Sequence, residues 1–216
     1  MLRRLIKASA IVIGVGLVTG CAVTPVKMGS AAIVGNERIS IATLGIEVTN
    51  LTQAAKQYPG VVSLTPTQAT QATLTWLIRY QVYEEIARQA GITVTTGQAQ
   101  AALNHAVTAA KTAYEQQGLT NVTQTLVLAS SGVPPDTHDQ LGRYLAITTY
   151  YQNMANGGAK LSKAQCQAAK ALNIQVNPQF GQLDYTQYVV VSAPSPVTRS
   201  AGPTTSASPV ATAPAC

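Results

Sequence analysis

Residues 176–184 read VNPQFGQLD. A short strand candidate, Asn173–Val176, leads into them, and a tail rich in Pro, Ser, Thr and Ala follows. The run has the length of a strand, whereas most of the chain upstream repeats with helical spacing. Pro178 has no amide to donate, so a ladder through Asn173–Val176 ends at Asn177-Pro178. The segment reads as one late strand at the end of a helical body.

Upstream of it, Ser162 and Gln165 have capping-box spacing and predict a short helix to about Leu172, with Asn156-Gly157-Gly158 as the break before it. Pro135 and Asp136 open a helix carrying Leu141, Tyr144, Leu145, Thr148 and Tyr151. Ser131-Gly132-Val133-Pro134 is a break, and a shorter helix is predicted around Val122–Leu128. Thr95 or Thr96 caps a helix with Ala99, Leu103, Ala106, Ala110 and Tyr114 on one face and Gly118 at its end.

The clearest start is Thr65-Pro66-Thr67-Gln68: a capping Thr, Pro at the first helical position and Gln at the third. The helix should run to about Arg88, with Ala69, Thr73, Trp76, Tyr80, Tyr83 and Ala87 as its buried stripe and Gly91 after its end. Before it, Ser40 caps a helix whose Leu44, Val48, Leu51, Ala55 and Tyr58 share a face, and Pro59-Gly60 stops it. Ala31–Val34 is a second short strand candidate, followed by a Gly35-Asn36 turn signal and the apolar Ile39.

At the N-terminus, Arg3, Arg4 and Lys7 precede an apolar run of 11 residues, Ala8–Val18. That is too short for a mature membrane span and has signal-peptide form. Leu17-Val18-Thr19-Gly20-Cys21 resembles a bacterial lipobox. The resemblance implies cleavage before Cys21 and diacylglyceryl attachment to its sulfur, which places the chain on the extracytoplasmic face of a cell membrane. Two acyl chains anchor stably where one is marginal.

Loss of residues 1–20 would remove three of the 14 basic side chains and none of the eight acids, lowering the formal charge from +6 to +3. With no basic run and no interleaved aromatics, nucleic acid is not an expected partner. The organisation predicted is a signal peptide at 1–20, a lipidated tether at 21–30, a helical domain at 31–191 and a disordered tail at 192–216. The tail holds five Pro and one charged residue, Arg199, and cannot bury enough apolar surface to offset chain entropy.

Three separated pieces carry a wider resemblance. Ala31–Ser40 is similar to the "A-x-V-G-x-x-x-I-T/S" opening of SurA-type periplasmic chaperones and PrsA-type foldases. VNPQFGQLD is similar to their "V-N-P-R-F-G-x-W-D" ending, with Gln179 in place of Arg and Leu183 in place of Trp. Gly132-Val133-Pro134, with Leu141, Arg143 and Tyr144 beyond it, resembles the later helical part of the same domain. The resemblance implies a mainly α domain of the SurA N-terminal type, with a small two-stranded β ribbon in which Ala31–Val34 pairs with Asn173–Val176. In PrsA-like foldases a parvulin prolyl-isomerase module precedes the last strand. Here about twenty residues separate Gly157 from Asn177, far too few for a separate domain. The implied activity is chaperoning without the isomerase.

Candidate chemistry is sparse. His138 in Asp136-Thr137-His138-Asp139 suits either a metal site or a helix first turn, where acids meet the macrodipole. His105 sits on a polar face beside Asn104. No serine has a nucleophile setting, no glycine-rich phosphate loop occurs, and Glu84 and Glu85 point apart on a helix. The sequence therefore assigns no catalytic residue, no metal and no cofactor. Once Cys21 is lipidated, Cys166 and Cys216 remain; a bridge between them, free thiols and intermolecular pairing all stay open. The aromatics Trp76, Tyr80, Tyr83, Tyr114, Tyr144, Tyr150 and Tyr151 suit packing between helices, or an exposed apolar cradle for unfolded chains. The function expected is that of an ATP-independent holdase for secreted or envelope proteins. The alternatives are an envelope scaffold for one folded partner and, last, a prolyl isomerase.

Overall fold

The computed structural model describes residues 28–193. The expected signal peptide and tether, with Cys21 as the expected lipidation site, lie outside the described residues, as do Cys216 and most of the expected disordered tail. Among the described residues the fold is mainly helical. Strands β1 (Ser30–Val34) and β2 (Glu37–Ser40) lead into helices α1 (Ile41–Lys56), α2 (Pro66–Ala90), α3 (Thr96–Gln116) and α4 (Gln124–Ser130). A 3-10 turn at Pro135–Thr137 opens α5 (His138–Gln152), and α6 (Gly157–Leu172) follows. The chain closes through β3 (Gln175–Val176), β4 (Gln182–Asp184) and β5 (Val189–Val191).

The expected pairing of Ala31–Val34 with Asn173–Val176 is present: Ala32 faces Val176 and Ile33 faces Gln175, antiparallel. The Asn177 amide still donates to Ala31 O at 2.9 Å, and the ladder ends before Pro178. The ribbon is wider than expected, however. β2 pairs on the other side of β1, giving the order β2-β1-β3. The sequence concealed β2 because Glu37-Arg38-Ile39-Ser40 offers one inward apolar residue, Ile39, rather than an alternating run. Gly35 makes the hairpin turn at φ 61°, and its amide donates to Leu172 O at 2.6 Å, tying the hairpin to the end of α6.

A second hairpin, β4–β5, was also not foreseen. It lies on α2, where the Val190 amide donates to the buried Thr75 Oγ1 at 2.8 Å. Gly181 precedes it at φ 127°, and a Cβ there would fall 2.2 Å from Val191 O. Leu183 and Val190 are buried beneath the hairpin, and Phe180 packs against the same core. The VNPQFGQLD stretch thus continues past its first strand into a docked hairpin.

Helix caps follow the sequence closely. Ser40 caps α1, and Thr65 with Gln68 forms a reciprocal capping box on α2. Gly91 ends α2 in the left-handed conformation, at φ 65° and ψ 24°. Thr95 rather than Thr96 caps α3, in a second capping box with Gln98. One start is corrected. α6 begins at Gly157, not Ser162, and the Ser162 hydroxyl donates back to Gly158 O inside the helix. The glycines read as a break form the first turn, because the chain reverses tightly after α5. A Cβ on Gly157 would collide with Tyr151 O, so only glycine fits that corner.

α2 is the axis of the fold. Residues 73–78 are all buried, so its true burial is a sleeve rather than the single stripe expected. Leu74, Ile78, Val82 and Ile86 join Trp76 and Tyr83 in a core shared with the β-sheet, α5 and α6. A smaller core links α1, through Leu51, Ala54 and Ala55, to Leu126 and Val127 of α4. Each fully buried aliphatic side chain contributes roughly 1.5–3 kcal/mol of transfer free energy.

Candidate binding groove between α3 and α5

α3 and α5 touch through small residues. A Cβ on Gly142 of α5 would lie 2.6 Å from Ala99 O of α3, so the helices approach backbone to backbone. Clefts open on either side of this contact. The smaller, about 130 Å³, is bordered by Leu103, His138, Asp139 and Arg143. The larger, about 750 Å³, opens between the α2–α3 loop, the alanine-rich middle of α3 and the last turns of α5.

The larger groove has a consistent chemistry. Ile92 and Val94 form one wall, Ala101 and Ala102 the second, and Ala146 and Tyr150 the third. Thr93, Gln98, Thr149, Gln152 and Asn153 add neutral hydrogen-bonding groups, and no Asp, Glu, Lys or Arg lines it. Its two titratable side chains are His105 and Tyr150. The sequence placed His105 on a polar face; it is exposed, but that face borders the groove.

The loop wall is held from beneath by Arg143. Its Nε and Nη2 donate to the two carboxylate oxygens of Glu84 at 2.8 Å each, and Nη1 donates to Val94 O at 3.2 Å. One guanidinium therefore joins α5, α2 and the loop. The Glu84 carboxylate pushes the Arg143 pKa upward. Glu85 faces another way and pairs with Arg88 and Gln89, as adjacent helical residues must. Residues 84 and 143 stand 59 positions apart, with no periodic signal linking them. Only the scarcity of charge in the chain hints that each needs a partner.

Most of the aromatic set is interior. Trp76 and Tyr83 are buried, and the Tyr144 ring sits 5.6 Å from Trp76 and 4.3 Å from Tyr83. Tyr151 is buried too, with Tyr150 standing edge-on against it at 5.7 Å and 44% exposed. Of the seven rings, Tyr150 alone lines the groove. Of the two roles open to this set, packing between helices accounts for most of it, and the groove is walled chiefly by Ile92, Val94 and alanines.

The remaining candidates are placed as follows. His138 Nδ1 lies 3.1 Å from Pro135 O and its Nε2 lies 3.4 Å from Asp139 Oδ1, while Asp136 turns away to accept from Asn50. Among the described residues no three of His, Cys, Asp or Glu gather in a metal-holding group. Ser130 and Ser131 both donate to Val127 O at the end of α4. Cys166 is half-buried on α6 and disulfide-bonded.

Beside Asp136, Glu47 Oε2 is shielded from solvent with no hydrogen-bond partner among the described residues. Burial pushes its carboxyl above the ordinary value of 4.5; Asn50 partly offsets this, and Asp136 adds repulsion. The folded state therefore holds this proton more tightly than the unfolded chain. The resulting stability is present below pH 4.5 and is lost as pH rises through the elevated value. Glu47→Gln should gain stability at neutral pH and almost none in acid. Urea unfolding at the two pH values measures this, and an equal gain at both would sink the assignment.

No family model, no curated protein and no solved structure matches this chain. Among the described residues no helix is long and apolar enough to cross a membrane.

Proposed function

We propose that this protein is a lipid-anchored, extracytoplasmic holdase that shelters short uncharged, apolar stretches of unfolded secreted or envelope proteins in the α3–α5 groove. The observation that carries the reading is the groove itself: about 750 Å³, with alanine, valine, isoleucine and tyrosine walls, neutral polar groups at its margins and no formal charge. A cleft of that size accommodates a few side chains and would exclude charged ones through the cost of desolvating them. Binding there needs no nucleotide and no covalent step.

The resemblance to SurA- and PrsA-type chaperones supports the same reading, with the lipobox at Cys21 supplying the anchor and the location. Only α6 stands between α5 and the returning β3, which leaves no place for an isomerase module at that point of the chain. The scaffold alternative differs in its partners: one dominant crosslinked protein in cells favours a scaffold, a broad distribution favours a holdase.

The test is suppression of aggregation. The processed chain should slow aggregation of several chemically unfolded clients at near-stoichiometric ratios. Ala101→Glu, on the exposed groove wall, should weaken this about tenfold, with the unfolding midpoint unchanged. No suppression with any client would overturn the proposal. Suppression that Ala101→Glu leaves intact would remove the groove from it.

A further inference from the structure

α6 carries the most one-sided charge of the helices. Residues 28–193 hold nine Lys and Arg against eight Asp and Glu, nearly a balance. α6 has three of the nine, Lys160, Lys163 and Lys170, and none of the eight. No acid occurs anywhere from 140 to 183. All three lysines are exposed, and none has an ion-pair partner among the described residues. At 3.6 residues per turn they share an arc of about 80° and span about 15 Å along the helix axis.

Helix stability does not account for this stripe. Lys170 lies in the last turn, where the macrodipole favours a cation, but Lys160 lies in the first turn, where it opposes one. No Asp or Glu stands three or four residues from any of the three. The elements packed against α6 do not neutralise it either. On α2, Glu84 is held by Arg143 and Glu85 by Arg88. On α5, Asp139 faces His138. Glu37, in the hairpin tied to Leu172, stands next to Arg38, and β3 is uncharged.

We propose that this face of α6 docks on an anionic lipid bilayer. Three features select a bilayer over other polyanions. Lysine is a compact, hydrated point charge suited to a diffuse charged plane, whereas arginine forks fit a fixed phosphate or carboxylate, and the stripe has no arginine. The exposed residues between the lysines include Ser162 and Gln167 and no aromatic, so nothing there stacks on nucleic-acid bases. The lysines also share one edge of a single helix, so all three reach a flat surface together. Ala168 and Ala169, on the opposite side of α6, are buried in the core. The contact is therefore electrostatic and reversible by salt, not an insertion of the apolar face. It requires neither the groove nor an acyl anchor. Each lysine at such a surface strengthens partitioning about fivefold, so the three together give roughly a hundredfold.

The full chain mixed with vesicles tests this, using phosphatidylcholine alone and phosphatidylcholine with phosphatidylglycerol. Lysine acetylation read by mass spectrometry should show Lys160, Lys163 and Lys170 protected on the anionic vesicles only, with Lys56 and Lys111 reacting equally on both. The protection should vanish in about 1 M salt, where screening acts within ~3 Å. In cosedimentation, replacing all three by glutamine (Lys160→Gln, Lys163→Gln, Lys170→Gln) should remove about a hundredfold of the preference for anionic vesicles. The control pair Lys56→Gln and Lys111→Gln should leave that preference nearly unchanged. Because the readout is the difference between two lipid compositions, an acyl anchor that holds the chain on both does not alter it. The footprint on the unsubstituted chain is decisive even if a variant misfolds. Equal protection of all five lysines, no preference for anionic lipid, or an equal loss in the control pair would each overturn the proposal. Tighter binding to polyglutamate or to DNA than to anionic vesicles at the same ionic strength would overturn it in favour of an acidic macromolecule.

Discussion

Trp76→Ala is expected to cost about 3–5 kcal/mol of stability, a large share of what a domain of this size possesses. The indole is 4% exposed, stacks obliquely on Tyr80 at 6.4 Å and meets Tyr144 edge-on. Its Nε1 donates to the buried Thr137 Oγ1 at 2.8 Å, and that hydroxyl donates in turn to Pro134 O. Truncation would open a cavity where α2, α5 and the Pro134 corner meet. Trp76→Phe keeps much of the ring and loses the hydrogen bond, so its cost should be nearer 1–2 kcal/mol. Urea titration followed by far-UV circular dichroism measures both. If Trp76→Ala kept the wild-type midpoint while aggregation suppression fell, the aromatic residues would belong to client binding after all.

Gly142→Ala should also destabilise, by about 2 kcal/mol, and Gly142→Val by 3 or more. The sign is the informative part, because Gly to Ala inside a helix ordinarily gains about 1 kcal/mol. Gly45 of α1 is the control: a Cβ there meets nothing within 4 Å, so Gly45→Ala should stabilise. At Gly142 the added carbon meets the Ala99 carbonyl, a backbone atom that cannot rotate away. α3 must move off α5, which also deforms the groove floor. A stabilising Gly142→Ala would mean that the close approach of the two helices is absent in solution.

The helix boundaries were legible because they are local. Thr65-Pro66-Thr67-Gln68 satisfies its own backbone donors within one turn, and Gly91 needs no neighbour to adopt its conformation. The β1–β3 closure was legible through the family-like VNPQFGQLD. β2 was not, because Ile39 is its one inward apolar residue, and the β4–β5 hairpin was not, because it docks on Thr75, far away in sequence. The start of α6 was misread for a related reason. Gly157 is set by the Tyr151 carbonyl, whereas Ser162 and Gln165 merely have capping-box spacing and use their side chains within α6 and on Tyr83. The groove was least legible of all. One wall is Ile92 and Val94 of a loop, and the others are alanines and Tyr150 on helix faces that look solvent-facing until α3 and α5 are brought together.

The sheet bears on how such a protein avoids sticking to copies of itself. β1 is paired on both sides, so its hydrogen-bonding groups are not on offer. The outer edges are poor templates: β3 is two residues long and runs into Pro178, and β2 presents Glu37 and Arg38. Short, charged or proline-ended edges resist strand-to-strand polymerisation. Apolar walls open to solvent then need not drive polymerisation, because the α3–α5 groove lies between helices and offers no backbone ladder to extend.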